Sequence, residues 1–342
     1  MRVLAWPVHS PTNPYTPLLY SHLGPDVNVE EFSAGRVIQK YSVWHVHWPE
    51  ALLNIGNPWH AASKVAGFFA ALDCLRMRGA KLVWTVHNCR SHERHHPSLE
   101  PWFWREFIPW VDGVISLSPT GLTSALNSFP ELRKLPAAVI PHGHYRSEYP
   151  ARTREARNAL GISPDAEVIL FVGAIRAYKN VEGLVRAFRQ LKRPRALLYV
   201  VGCPNSSTLA ERILQEALPD DRVHLRFEFL PPEDLSAYIG AADVVALPYR
   251  EILNSGSALL SLSLNRPVLV PERGAMGELK SDFGEEWAQT YAGDLDGAVL
   301  EGALDWALRR RPSLCPMPEK YEWQSIGRET ARFYHTVSEE SR

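Results

Sequence analysis

The sequence predicts an α/β protein made of two doubly wound domains, each built on a parallel sheet. Short apolar runs that end in turn residues alternate along the chain with longer stretches whose apolar positions recur at helical spacing. Strands alternating with helices imply parallel pairing, with helices covering both faces. At 342 residues the chain is long enough for two domains of ordinary size, each with its own core. A charged, proline-containing stretch at 146–155, without a buried stripe, marks the boundary between them.

The first half begins with a strand at 3–6, then a loop at 7–17 holding the Asn13-Pro14-Tyr15 turn signal, then a helix from 18. Residues 43–47 read as a buried strand ending in Trp48-Pro49-Glu50, and 59–78 as a long helix. A strand at 81–86 runs into His87-Asn88; 102–110 is helical, 113–117 is a strand, and 139–141 a short strand leading into His142-Gly143-His144. Ligands of parallel sheets bind beyond the carboxyl ends of the strands. His9, His47 with Glu50, His87 with Asn88, and His142 are therefore the polar candidates of this half.

The second half carries the most informative stretch. An apolar strand at 168–172 runs into Gly173, a short loop holding Arg176 and Lys179, and a helix with apolar positions 181, 184, 185, 188 and 191. A glycine turn after a buried strand lets a ligand approach the backbone. Two cations beside a helix N-terminus suit a diphosphate, because free N–H groups and the helix dipole already favour negative charge there. Farther on, a strand at 244–247 and a loop at 248–254 precede Ser255-Gly256-Ser257, which opens a helix with Leu259, Leu260, Leu262 and Leu264 on its apolar face. Such a start is a second anion cradle of N–H groups and hydroxyls. Asn265-Arg266-Pro267 stops that helix before a strand at 268–270, and 319–338 reads as a final amphipathic helix.

These two segments resemble the C-terminal half of GT-B glycosyltransferases similar to family 4, the nucleotide-sugar enzymes of bacteria. In that group a G-x-x-x-x-K-x loop supplies an Arg and a Lys to the donor diphosphate, matching Gly173, Arg176 and Lys179 here. The resemblance implies two Rossmann-like domains facing a cleft: 1–148 for the acceptor, 149–318 for the nucleotide sugar, and 319–342 as a helix returning to the first domain. It places donor contacts at Glu251, Asn254, Ser255, Gly256 and Ser257. The family usually carries two glutamates eight positions apart around this helix start. Here Glu251 fits the first only with a one-residue shift, and Leu260 stands where the second belongs. That departure is shared with a side branch of exopolysaccharide enzymes, the xanthan-type β-1,4-mannosyltransferases. The resemblance to that branch implies GDP-mannose as the donor and a glycan, or a glycan on a polyprenyl diphosphate, as the acceptor.

Glycosyl transfer needs a stabilised leaving group and a route for the acceptor hydroxyl's proton. Arg176, Lys179 and the Ser-Gly-Ser turn supply the first without a metal or other cofactor. An inverting reaction also needs a carboxylate or imidazole within reach of the hydroxyl. Glu93 ranks first, then Glu50, then His9; His87 matches the family's histidine near the donor sugar, and Asn88 and His142 stand on the acceptor side. Rivals of another class are a nucleotide-sugar epimerase of GT-B-like fold and a binding module that has lost catalysis.

Composition narrows the partners. Net charge is −1 and acids match bases, which argues against nucleic acid. Cys74, Cys89, Cys203 and Cys315 lack C-x-x-C spacing and read as reduced thiols of a cytoplasmic protein. The first residues are too short and proline-rich for a signal peptide, and no apolar run approaches the roughly 20 residues that span a bilayer. His45 and His47 share a strand face, and His92, His95 and His96 form an H-x-x-H-H run, yet a zinc site needs converging carboxylate or cysteine partners, and none is expected. The Val65, Phe68, Phe69, Leu72 face of the helix at 59–78, with Lys64, Arg76, Arg78 and the aromatic run at 102–110, reads as a core face or as a surface for the inner face of a membrane.

Overall fold

A computed structural model describes residues 1–10, 13–90, 96–150, 154–309 and 311–339, with backbone alone at 154 and 155. The chain divides into two units, Met1–Gly143 with Glu319–Arg342, and His144–Pro318. The division thus precedes the charged stretch that marked it in the sequence.

In unit 1 six parallel strands run in the order β2-β1-β3-β4-β5-β6. They are β1 (Arg2–Trp6), β2 (Asn28–Glu31), β3 (Val43–His47), β4 (Lys81–Val86), β5 (Val111–Ser116) and β6 (Ala137–Val139). Among the described residues four α-helices intervene: α1 (Tyr15–Ser21), α2 (Pro58–Met77), α3 (Leu99–Phe107) and α4 (Pro119–Ser128). α1 starts earlier than the apolar pattern suggests because Asn13 Oδ1 accepts the Tyr15 N–H at 3.0 Å. β2 escaped the sequence reading: it pairs only with β1 at the sheet edge, so its Asn-Val-Glu-Glu sequence has no buried face to reveal it. α2 turns Val65, Phe68 and Leu72 into the core. That apolar face is therefore a packing face, and the helix's large exposed apolar side chains are Trp59 (85% exposed) and Met77 (78%).

Unit 2 repeats the plan with β7 (Glu167–Val172), β8 (Ala196–Val201), β9 (Val223–Arg226), β10 (Val244–Ala246), β11 (Val268–Pro271) and β12 (Ala288–Tyr291). Its helices are α5 (Arg154–Ala159), α6 (Val181–Phe188), α7 (Ser207–Ala217), α8 (Pro232–Ala241), α9 (Gly256–Ser263), α10 (Met276–Phe283) and α11 (Gly297–Ala307). The order β12-β11-β10-β7-β8-β9 puts the reversal of winding between β7 and β10. Ligands of such sheets lie at that crevice, beyond the strand ends. The loops after β7 and β10 are the two read from the sequence as diphosphate cradles.

The last helix, α12 (Trp323–Glu339), belongs to unit 1 and buries Trp323, Ile326, Phe333, Tyr334 and Val337 in its core. Its approach to α1 requires a glycine: a Cβ on Gly327 would lie 1.9 Å from the His22 carbonyl oxygen. Among the described residues no helix is long and apolar enough to cross a membrane.

Candidate functional site

In unit 2, β7 delivers the chain to Gly173 at φ +117°, a conformation that L side chains rarely adopt. A Cβ there would stand 2.6 Å from Ser257 Oγ and 3.7 Å from Lys179 Nζ, so the loop after β7 and the start of α9 converge on this backbone. One 3₁₀ turn, Ala177–Lys179, followed by Asn180 in the left-handed region, brings the chain into α6. Lys179 Nζ lies 5.3 Å from the centroid of the buried Tyr249 ring. Desolvation holds its ammonium below the ordinary lysine range, and the neighbouring Arg176 acts in the same direction. Among the described residues no carboxylate pairs with Lys179. A cation poorly solvated and unpaired is a place where a bound anion restores what folding removed.

The Ser-Gly-Ser start of α9 is narrower than the sequence suggested. Ser255 Oγ accepts the Ala258 N–H at 3.2 Å and so caps the helix, with its own proton within reach of the Tyr249 hydroxyl at 3.5 Å. Ser257 faces Gly173, and the buried amide nitrogen of Asn254 has no hydrogen-bond partner among the described residues. Arg176 folds its head back, donating to the Ile175 carbonyl at 2.9 Å and the Cys203 carbonyl at 3.4 Å. Glu251 is exposed in the loop ahead of α9.

In unit 1 the carboxyl ends of β3 and β4 gather imidazoles and phenols. His45 and His47 project from the same face of β3, both fully buried. His47 Nδ1 lies 2.9 Å from His87 Nε2, and His47 Nε2 lies 2.8 Å from the Tyr20 hydroxyl. Trp48 adopts φ +42°, a strained conformation for a bulky residue. Its ring stacks on His87 at 4.0 Å between centroids, and the Tyr15 ring stands edge-on at 5.3 Å. His142 packs on Tyr15 at 4.5 Å, with its Nδ1 2.8 Å from the Gly143 carbonyl. Burial pushes His142 down to about 4 and His47 and His87 well below the usual histidine range, leaving all three neutral.

After Trp48 the chain makes a 3₁₀ turn, Pro49–Asn54, that buries Glu50. Burial raises its carboxyl to about 7 and the nearby Glu100 acts the same way, while a 3.1 Å hydrogen bond donated by Asn88 Nδ2 opposes the rise. A carboxyl poised near neutrality suits proton transfer. His9 stands apart from this cluster, its exposed ring 2.7 Å from Glu31. Glu93, with His92 and His95, falls outside the described residues. Among those described, no group of three or more histidine, cysteine or acidic residues is arranged to hold a metal ion.

Residues 152–260 match the family described as glycosyl transferases group 1. A "GDP-mannose:glycolipid 4-beta-D-mannosyltransferase" of Xanthomonas campestris pv. campestris is 31% identical over 324 residues, which are 94% of this chain and 88% of the relative. The chain belongs to the group 1 glycosyltransferases. Solved structures of similar fold include HepE of Anabaena in complex with UDP-glucose, at 16% identity, TM-score 0.63, and coverage of 99% of this chain and 97% of that one. Sucrose-phosphate synthase from Thermosynechococcus elongatus is 20% identical with TM-score 0.59, covering 87% and 71%. This glycosyltransferase has the GT-B fold expected from its sequence and acts on a nucleotide sugar.

Sequence reasoning missed several residues that shape these sites. Tyr15, Tyr20 and Tyr334 meet the histidines of this glycosyltransferase only in three dimensions. Tyr249, in the loop at 248–254, packs against Lys179 and was not singled out in the sequence. The one legible signal was the spacing of His45 and His47, which put both on one strand face.

Proposed function

We propose that this glycosyltransferase moves mannose from GDP-mannose to a hydroxyl of a lipid-linked glycan, in polysaccharide assembly, without a metal or other cofactor. The observation carrying the donor and acceptor is the similarity to the Xanthomonas mannosyltransferase along almost the whole of both chains. Lys179, Arg176, Asn254, Ser257 and the first N–H groups of α9 take the diphosphate, in the loops at the β7/β10 crevice. In unit 1 Glu50 takes the acceptor proton, with Glu93 as the rival base; Asn88 and His142 line the acceptor side, and His87 is the histidine that the resemblance assigns to the sugar being transferred. A β-linked product from an α-linked donor requires inversion: the acceptor oxygen bonds to the sugar's anomeric carbon as that carbon's bond to the diphosphate breaks. The proton passes to the carboxylate, and the electron pair leaves on the diphosphate. A lipid-linked acceptor brings the protein to the inner face of a membrane, and exposed Trp59 and Met77 are consistent with contact there.

A panel of GDP, UDP, ADP, dTDP and their common sugars tests the donor, since a ligand that binds the native state raises its melting temperature. GDP and GDP-mannose should shift it selectively. A UDP-selective shift would replace the donor, and no shift with any nucleotide would sink the diphosphate site.

A further inference from the structure

The histidines of unit 1 belong to a longer hydrogen-bonded chain. Thr85 Oγ1 lies 2.7 Å from His45 Nε2, and His45 Nδ1 meets two phenols, Tyr334 at 2.6 Å and Tyr20 at 3.1 Å. The Tyr20 hydroxyl continues to His47 Nε2 at 2.8 Å, and His47 Nδ1 to His87 Nε2 at 2.9 Å. His45, His47, Thr85 and Tyr334 are fully buried, whereas His87 is partly exposed, so the chain runs outward and ends on its ring.

Counting hydrogens gives the chain a direction. Burial keeps the three imidazoles neutral and holds Tyr20 and Tyr334 well above the usual phenol range, so each ring has one N–H and each phenol one O–H. His45 Nδ1 has a single in-plane position. If it is bare, the nearer phenol, Tyr334, fills it, and the Tyr20 proton is left for His47 Nε2. If it is protonated, it donates to one phenol oxygen, and the Tyr20 proton again goes to His47 Nε2. The opposite direction needs Tyr20 to fill His45 Nδ1 from 3.1 Å while Tyr334 faces the same lone pair from 2.6 Å. Once His47 Nε2 is an acceptor, His47 carries its proton on Nδ1 and donates to His87 Nε2. The proton of His87 is then on Nδ1, the ring nitrogen left for a ligand.

We propose that Tyr20 and His47 are positioning residues of the transfer, holding His87 as the Nδ1–H tautomer so that it meets the bound sugar as a hydrogen-bond donor and not as the base. Trp48 and Tyr15 fix the plane of the ring, and the buried chain fixes its protonation. The catalytic part of this inference rests on the transferase reading above; the tautomer does not.

Two variants of the full chain test it. Tyr20→Phe keeps the ring volume and removes the hydroxyl that gives the chain its direction. His47→Gln keeps a partner for Tyr20 and withdraws the one for His87. Two-bond ¹H–¹⁵N spectra of the histidine rings read the tautomer directly, and GDP release from GDP-mannose reads turnover. The parent should show His87 protonated at Nδ1. Each variant should give a mixed tautomer and lose roughly tenfold in kcat, with the KM for GDP-mannose changed less than about twofold. An Nε2–H His87 in the parent, an unchanged tautomer in the variants, or a changed tautomer with unchanged kcat would each overturn the proposal. A parent that releases no GDP would instead count against the donor assignment, and the ring spectra would still decide the tautomer.

Discussion

Glu50→Gln should leave the protein more stable at alkaline pH and nearly inactive. The buried carboxyl is raised from 4.5 to about 7, chiefly by desolvation, so ionising it in the folded state costs about 3 kcal/mol more than in the unfolded chain. Below about pH 4 both states hold the proton and nothing is lost. Stability falls as pH rises through the unfolded value of 4.5, and the loss is complete once pH passes the folded value of about 7. Glutamine can still accept the Asn88 hydrogen bond but never ionises. Urea titrations followed by tryptophan fluorescence should show the gap between variant and parent widening by about 2–3 kcal/mol between about pH 5 and pH 8.5. Turnover should move the other way: the parent's rate rises with pH through about 7 as the base ionises. The variant should lose at least about a hundredfold at the plateau. A gap that ignores pH would refute the buried carboxylate. A variant that keeps its turnover would place the base elsewhere, with Glu93 next to be replaced.

Three further outcomes follow from the same geometry. Lys179→Ala should weaken GDP-mannose binding about tenfold to a hundredfold in calorimetry, the worth of a charged hydrogen bond, without lowering the melting temperature, since the ammonium is desolvated and unpaired among the described residues. Gly173→Ala adds a methyl group 2.6 Å from Ser257 Oγ at φ +117°, and should cost about 1–3 kcal/mol in urea titrations while abolishing the GDP-induced thermal shift. Gly327→Ala should destabilise unit 1 by about 1–3 kcal/mol in the same titrations, because its Cβ would meet the His22 carbonyl carbon at 2.4 Å and its oxygen closer still.

The central strands of both sheets were legible because they are buried on both faces and read as plain apolar runs, as at Val168 to Val172. β2, β9 and β12 are edge strands whose half-buried, partly polar residues carry no such mark, and β8, with two half-exposed positions, was also not read as a strand. The loop after β7 was legible because its chemistry is local: the glycine, two cations and helix start lie within a dozen residues. Ser255 is ambiguous for the opposite reason, since a hydroxyl that caps its own helix has the same sequence signature as one facing an anion. In unit 1 the strand-end rule located His87, Glu50 and Asn88, but the raised carboxyl of Glu50 depends on burial. The histidine–phenol chain joins β3 to Tyr334, 289 positions away from His45, and no local pattern reports such a contact.

That distance has a consequence for how the protein is made. Tyr334 and the rest of α12 leave the ribosome after the whole of unit 2, yet they complete the unit that holds β1. The leading unit must therefore wait, its core open along α1, while all of unit 2 is synthesised. A nascent chain interrupted before residue 319 would carry the loops after β7 and β10 but lack the phenol on which His45 rests. Interruption there thus leaves unit 1 unfinished beside a complete unit 2, and the synthesis of residues 319–339 installs both the closing helix and the inner end of the histidine chain.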